Sequence, residues 1–153
     1  FYLPDTAEHF DFTEYDYVVD AVDTVSAKLD LIEKAHEHGV PIISAMGCGN
    51  RFDPTKLVVT DIYKTEMDPL AKVMRKELKK RGIKKLKVVY STEEPLKPID
   101  FDEDGQKIMT SSQVAAAGQT RAKSVPGSTA FVPSAAGLII ASQVAFDLTK
   151  DLR

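Results

Sequence analysis

The hydrophobic pattern first becomes regular at Tyr17-Val18-Val19-Asp20-Ala21-Val22, a short apolar run rich in β-branched residues that predicts a buried strand. Asp23 closes the run and Thr24 is placed to cap a helix. Val25, Leu29 and Ile32, with Leu31 and Ala35 beside them, then recur on one helical face while charges fill the other. Gly39 supplies the stop, Pro41 cannot continue the helix, and Ile42 to Met46 reads as a second buried strand. Strand, helix and strand at this spacing form a βαβ unit, whose two strands should run parallel.

Gly47-Cys48-Gly49-Asn50 is a turn-forming cluster, and the β-branched content of Lys56 to Ile62 predicts another strand. Asp68-Pro69 opens a second helix as cap and first-turn proline, with Leu70, Val73, Met74 and Leu78 inward and Gly82 at its end. Leu86 to Ser91 is the next strand. The periodicity then disappears across 93–130, which reads as a long loop of the functional or disordered kind. A terminal helix over 134–152 follows, opened by Pro133-Ser134 and rich in small residues (Ala135, Ala136, Gly137, Ala141, Ser142) that permit close packing. The expected architecture is α/β, a Rossmann-like mixed sheet with flanking helices, in one domain over 1–153.

Composition sharpens this picture in three ways. Cys48 is the only cysteine, so no internal disulfide can form, and without a C-x-x-C pair no structural zinc is expected. No basic start precedes an apolar run, and the most apolar stretch, Ala135 to Ala145, is shorter than the roughly 20 residues of a membrane helix, so no span is expected and a cytoplasmic setting fits. The net charge of −3 conceals an asymmetry: from Asp68 to Lys87, nine Lys or Arg face two acids, giving this stretch +7 and the rest of the chain −10. A local basic stripe on an acidic protein suits a polyanionic partner, although a solvated helix face has the same composition.

In open α/β sheets, ligands bind beyond the carboxyl ends of the parallel strands. Asp23 occupies that place after the first strand, where a carboxylate beside a helix amino terminus can hold a magnesium ion bridging phosphates, or can simply cap the helix. Asp20 is a second carboxylate there, with an orientation that strand alternation leaves open. The turn itself has no glycine-rich loop of the kind that cradles phosphates, so the nucleotide-binding unit is expected to be incomplete. Cys48 lies at the end of a strand, where a thiol could serve as a relay or pack as a small hydrophobe. His9, His36 and His38 show no ligand spacing, and the latter two complement the end of a helix.

The run from Tyr17 through Thr24, followed by Val25 and Lys28, resembles the D-x-x-D-[NST]-V-x-x-[RK] signature of the ThiF/MoeB/ubiquitin-activating superfamily. Pro41 to Gly47, leading to Asp53-Pro54, is similar to the strand and loop that follow it there. Within that superfamily, Asp61 to Thr65 with Asp68 to Ala71, then Val89 to Glu93, and finally Phe131 to Gly137, resemble the tRNA threonylcarbamoyladenosine dehydratases. The resemblance covers nearly the whole chain and implies the carboxyl-terminal half of a ThiF-like fold.

It further implies ATP-dependent adenylation of the threonylcarbamoyladenosine carboxylate in tRNA, followed by cyclising loss of water, with ATP and Mg2+ as cofactors. By that carry-over Asp23 organises the metal and Val22 with Asp23 meets the nucleotide, while Lys28 supplies a catalytic cation. Either the basic stripe Lys72, Arg75, Lys76, Lys79 and Lys80 or the segment from Glu93 to Lys123 would meet tRNA, the protein would be a homodimer, and sulfur-transfer proteins are further partners to consider. The phosphate-binding residues of such enzymes have no counterpart here, so the chain alone is expected to be inactive. The absence of paired C-x-x-C motifs favours the dehydratase branch over activation of a ubiquitin-like sulfur carrier, while a non-catalytic Rossmann-like binding or dimerisation module stays open as a further alternative, since this architecture hosts many functions.

Overall fold

The structure is a computed structural model that describes residues 2–97 and 126–152. Strands β1 (Val18–Asp20), β2 (Ile42–Ala45), β3 (Leu57–Asp61) and β4 (Lys87–Ser91) form one sheet in the order β1-β2-β4-β3. The expected parallel pairing of the first two strands is present, with Val18 opposite Ile42 and Asp20 opposite Ser44. β4 joins β2 in parallel, and β3 closes the far edge antiparallel to β4. The result is the mixed α/β sheet anticipated, and the carboxyl ends of β1, β2 and β4 lie at one end of it.

Helices α1 (Val25–Glu37) and α2 (Pro69–Lys80) cover one face, where Leu29, Ile32, Met74 and Leu78 pack with Val88 and Tyr90. Helix α3 (Val132–Thr149) covers the other, setting Val132, Ala136 and Ile140 against Ile43, Leu57 and Val89. Gly39 and Gly82 end α1 and α2 at φ of 70° and 72°, a left-handed conformation that glycine adopts without a Cβ penalty. At the start of α2, Asp68 caps through Oδ1, which accepts from Ala71 N at 2.9 Å.

Several sequence expectations need correction. β1 is an edge strand rather than a fully buried one, and Val19 points outward. Thr24 occupies the cap position of α1 without a side-chain cap bond. Val73 lies off the inward arc of α2, which is Ala71, Met74 and Leu78. The terminal helix begins at Val132, with Phe131 rather than Ser134 preceding its first turn. Its apolar run also extends further than Ala135–Ala145: Val132–Leu152, including a last 3-10 turn, has by length and composition what a membrane crossing requires. In the fold that helix lies on the sheet, with Asp147 bound to Tyr17 and Lys87. The long-loop reading of 93–130 falls mostly on 98–125, outside the described residues.

Candidate functional site

Two buried charge clusters form at the carboxyl ends of the parallel strands. The first begins with Asp20, the last residue of β1, which has no solvent exposure. Parallel register places Ser44 of β2 opposite it, and the Ser44 hydroxyl donates to Asp20 Oδ2. Lys28, in the first turns of α1, is only 2% exposed; its Nζ lies 3.1 Å from each Asp20 oxygen and 2.8 Å from the Ala45 carbonyl. The remaining donor to Asp20 is the Val22 backbone N–H, at 3.2 Å. One carboxylate thus ties together β1, β2, α1 and the turn between β1 and α1. Every buried side-chain polar atom among the described residues has a partner, as low-dielectric surroundings demand.

That turn carries Asp23 into solvent at the foot of α1, without a hydrogen bond or ion pair among the described residues. Val22 beside it is half-buried and held by its N–H. The two residues assigned catalytic duty by resemblance are therefore unlike each other: Asp23 is free to meet a ligand, whereas all the reach of Lys28 is spent on Asp20 and Ala45. Among the described residues no group of three or more His, Cys, Asp or Glu could hold a metal. A lone exposed carboxylate suits a magnesium ion that arrives on phosphates, since Mg2+ commonly takes only one or two carboxylates and keeps waters and substrate oxygens.

The second cluster fixes the loop after β2. Arg51 and Asp68 are both buried and lie 3.4 Å apart, and Asp68 Oδ2 also accepts from Gly47 N at 3.1 Å. The same aspartate caps α2, so the loop is fastened to that helix's amino terminus. Arg51 Nε donates to the Glu93 carbonyl at 3.1 Å, while the Glu93 carboxylate accepts from the backbone of Phe52 (3.0 Å) and Asp53 (2.9 Å). Asn50, at a left-handed φ of 58°, accepts from Leu96 N through its carbonyl. It also exchanges a pair of bonds with Gly127, N–H to carbonyl at 2.8 Å and N–H to Oδ1 at 2.7 Å. Gly49 lies so close to Pro126 that a Cβ there would sit 2.7 Å from the proline Cβ.

Cys48 is half-buried in this loop, and burial pushes its thiol pKa up, with Arg51 lowering it, Asp68 raising it and Lys28 lowering it by smaller amounts. A thiol so held carries little thiolate at neutral pH, which does not suit a relay. Of the histidines, His38 sets Nδ1 2.8 Å from the Lys34 carbonyl at the end of α1, a helix-terminal contact of the kind the sequence implies. Along α2, Lys72, Lys76, Lys79 and Lys80 are exposed. Lys80 pairs with Glu77, and Arg75 is half-buried with a nitrogen on the Thr65 carbonyl at 2.8 Å. A separate open cleft of about 500 Å³ lies between α1 and α2, lined by Leu29, Glu33, Val73 and Arg81, none of which belongs to either cluster.

The sequence offers Asp20 as a second carboxylate of open orientation and does not mark Ser44, Arg51, Asp68 or Glu93 as parts of the site. One signal was available: Lys28 lies one turn before Ile32 on the buried stripe of α1.

No family model matches the chain. It is 43% identical over 153 residues to a tRNA threonylcarbamoyladenosine dehydratase of Bacillus subtilis, a match spanning 99% of this chain and 58% of that protein. Among solved structures, TcdA (CsdL) has a TM-score of 0.74 at 27% identity, over 99% of this chain and 57% of the other. The Escherichia coli tRNA N6-threonylcarbamoyladenosine dehydratase TcdA in complex with ATP has a TM-score of 0.60 at 26% identity, over 95% and 56% of the two chains. The chain therefore spans less than two thirds of the length of these relatives.

Proposed function

We propose, from the homology of this chain to the tRNA threonylcarbamoyladenosine dehydratases of the ThiF/MoeB/HesA family, that it is part of an enzyme that adenylates the threonylcarbamoyladenosine carboxylate of tRNA and closes it with net loss of water. The observation that carries this reading is the 43% identity over essentially the whole chain. The same reading takes the chain as the carboxyl-terminal portion of that enzyme, with the phosphate-cradling loop supplied by another part of the protein. The chain alone is then inactive.

Bound ATP would supply the adenylyl group, and Mg2+ would offset the repulsion between a carboxylate and the α-phosphate. Within this chain, Asp23 is the residue to hold the metal, because its carboxylate is exposed and unpaired among the described residues. Val22 lies beside it at the nucleotide, its backbone fixed by Asp20. Lys28 acts as a positioning residue, not as a group that touches substrate: its burial against Asp20 and Ala45 supports holding the turn that presents Asp23. The exposed Lys72, Lys76, Lys79 and Lys80, with Arg75, make up the stripe that meets tRNA phosphates. A cytoplasmic homodimer completes the proposal, and the exposed apolar residues Leu138 and Leu148 of α3 support self-association.

The test uses the full-length protein with tRNA carrying threonylcarbamoyladenosine and ATP. Mass spectrometry of the digested nucleosides should show ATP-dependent loss of one water, abolished in Asp23→Ala. Turnover that survives Asp23→Ala would remove the metal role. ATP–pyrophosphate exchange stimulated by a protein carboxyl terminus, and not by tRNA, would overturn the dehydratase reading.

A further inference from the structure

The loop after β2 and the start of α3 each place an aromatic ring in solvent at one spot. Phe52 is 61% exposed and Phe131 57%, and their centroids are 5.9 Å apart with the planes at 73°. Neither ring belongs to a core cluster. Both backbones are nonetheless held firmly. Phe52 donates its N–H to the Glu93 carboxylate, and its neighbour Arg51 is locked in the buried pair with Asp68. Phe131 accepts from Ala135 N at 3.1 Å and precedes the fully buried Val132. The order needed to present these rings is therefore already built into the fold, which lowers the cost of binding.

We infer that Phe52 and Phe131 form a stacking platform for an unpaired nucleobase of the tRNA, and this inference rests on the functional reading given above. Proteins that take single-stranded nucleic acid combine a cationic track for the backbone with aromatic faces for the bases. Here the two parts are linked through one buried ion pair. The Arg51–Asp68 pair sets residue 51 against the cap of α2, and Lys72, Lys76 and Lys79 run outward along the same helix. That helix of 12 residues is about 18 Å long at 1.5 Å per residue, enough to follow several phosphates. The Glu93 carboxylate beside the platform is turned toward the Phe52 and Asp53 backbone N–H groups, which fixes its position. The edge-to-face arrangement leaves ring surface open for a third aromatic group, the geometry that offset or T-shaped contacts favour.

The test uses full-length protein and tRNA carrying threonylcarbamoyladenosine. Phe52→Ala and Phe131→Ala should each raise the Kd for tRNA roughly 5- to 150-fold, the range that loss of one base–aromatic stack produces. ATP affinity and thermal unfolding should stay at wild-type values, and Phe52→Trp should retain tRNA affinity. Phe131→Trp adds a reporter whose emission, read as the difference from wild type, should be quenched by tRNA and not by ATP. Unchanged tRNA affinity in the double alanine variant, while wild type still binds and converts tRNA, overturns the platform alone. If wild type neither binds nor converts this tRNA, the functional reading fails and the platform with it. A double variant that keeps its tRNA affinity but dissociates into monomers would assign the rings to a second copy of the chain, and this too overturns the inference.

Discussion

Replacing Lys28 by methionine isolates the buried charge, because methionine has a stem of similar length and only the ammonium group is lost. Asp20 would remain at zero exposure, with the Ser44 hydroxyl and the Val22 N–H but no countercharge. Removing one partner of a buried ion pair typically costs about 3–5 kcal/mol. The Ala45 carbonyl loses its 2.8 Å donor as well, at about 1 kcal/mol. At a urea slope of about 2 kcal/mol/M, within the range for small proteins, the unfolding midpoint should fall by about 2–3 M. Far-ultraviolet circular dichroism is the suitable probe, since the chain contains no tryptophan. Adding Asp20→Asn to Lys28→Met should recover most of the loss, because no charge then remains buried. Two results would refute the reasoning. A Lys28→Met midpoint close to wild type would mean that water reaches the pair, and a double variant as weak as the single one would place the loss in packing rather than charge.

Gly49→Ala should destabilise the fold by about 1–3 kcal/mol, because the new Cβ meets the ring of Pro126; thermal unfolding beside a Gly137→Ala control, where a Cβ has open space, checks this. The Asp147 carboxyl is held below its ordinary value of 3.8, chiefly by the Lys87 hydrogen bond and also by Tyr17, with burial opposing. Its contribution is therefore complete above the unfolded value and drains away as pH falls through the lower folded one, so urea midpoints should drop in that acid window for wild type and less for Asp147→Asn. Alkylation of Cys48 by iodoacetamide should be slower than that of a free thiol at the same mildly alkaline pH, with its rate rising only at higher pH; reaction at the free-thiol rate would show that burial does not protect it.

Much of this fold is legible in the sequence because its elements keep to their own periods. The β-branched runs at Val18, Ile42, Val58 and Val88 became strands, and Gly39 and Gly82 ended helices at the places their flexibility suggests. The direction of β3 was not legible, since an apolar run has the same pattern whether it pairs parallel or antiparallel. Val73 seemed inward on a generic helical wheel, but the sheet selects the narrower arc through Ala71, Met74 and Leu78. At the site, the place of Asp23 just past a strand is legible in the sequence, whereas the ion pairs are not. Asp68 looks complete as a helix cap, and nothing local in the sequence indicates that its second oxygen will meet Gly47 and Arg51, whose approach is set by tertiary packing. Lys28 was harder still, because lysine at a buried position is rare enough that only its spacing from Ile32 argued for it.

Asn50 has a consequence for how this chain can vary. Its carbonyl holds Leu96 and its amide and side chain hold Gly127, so the chain's departure and return are joined at a single residue. Any chain that joins two fixed points pays a closure entropy that grows only with the logarithm of its length. Asn50→Leu, which forfeits the side-chain acceptor and favours right-handed backbone, should therefore loosen the tie at Gly127 and with it the closure of that circuit.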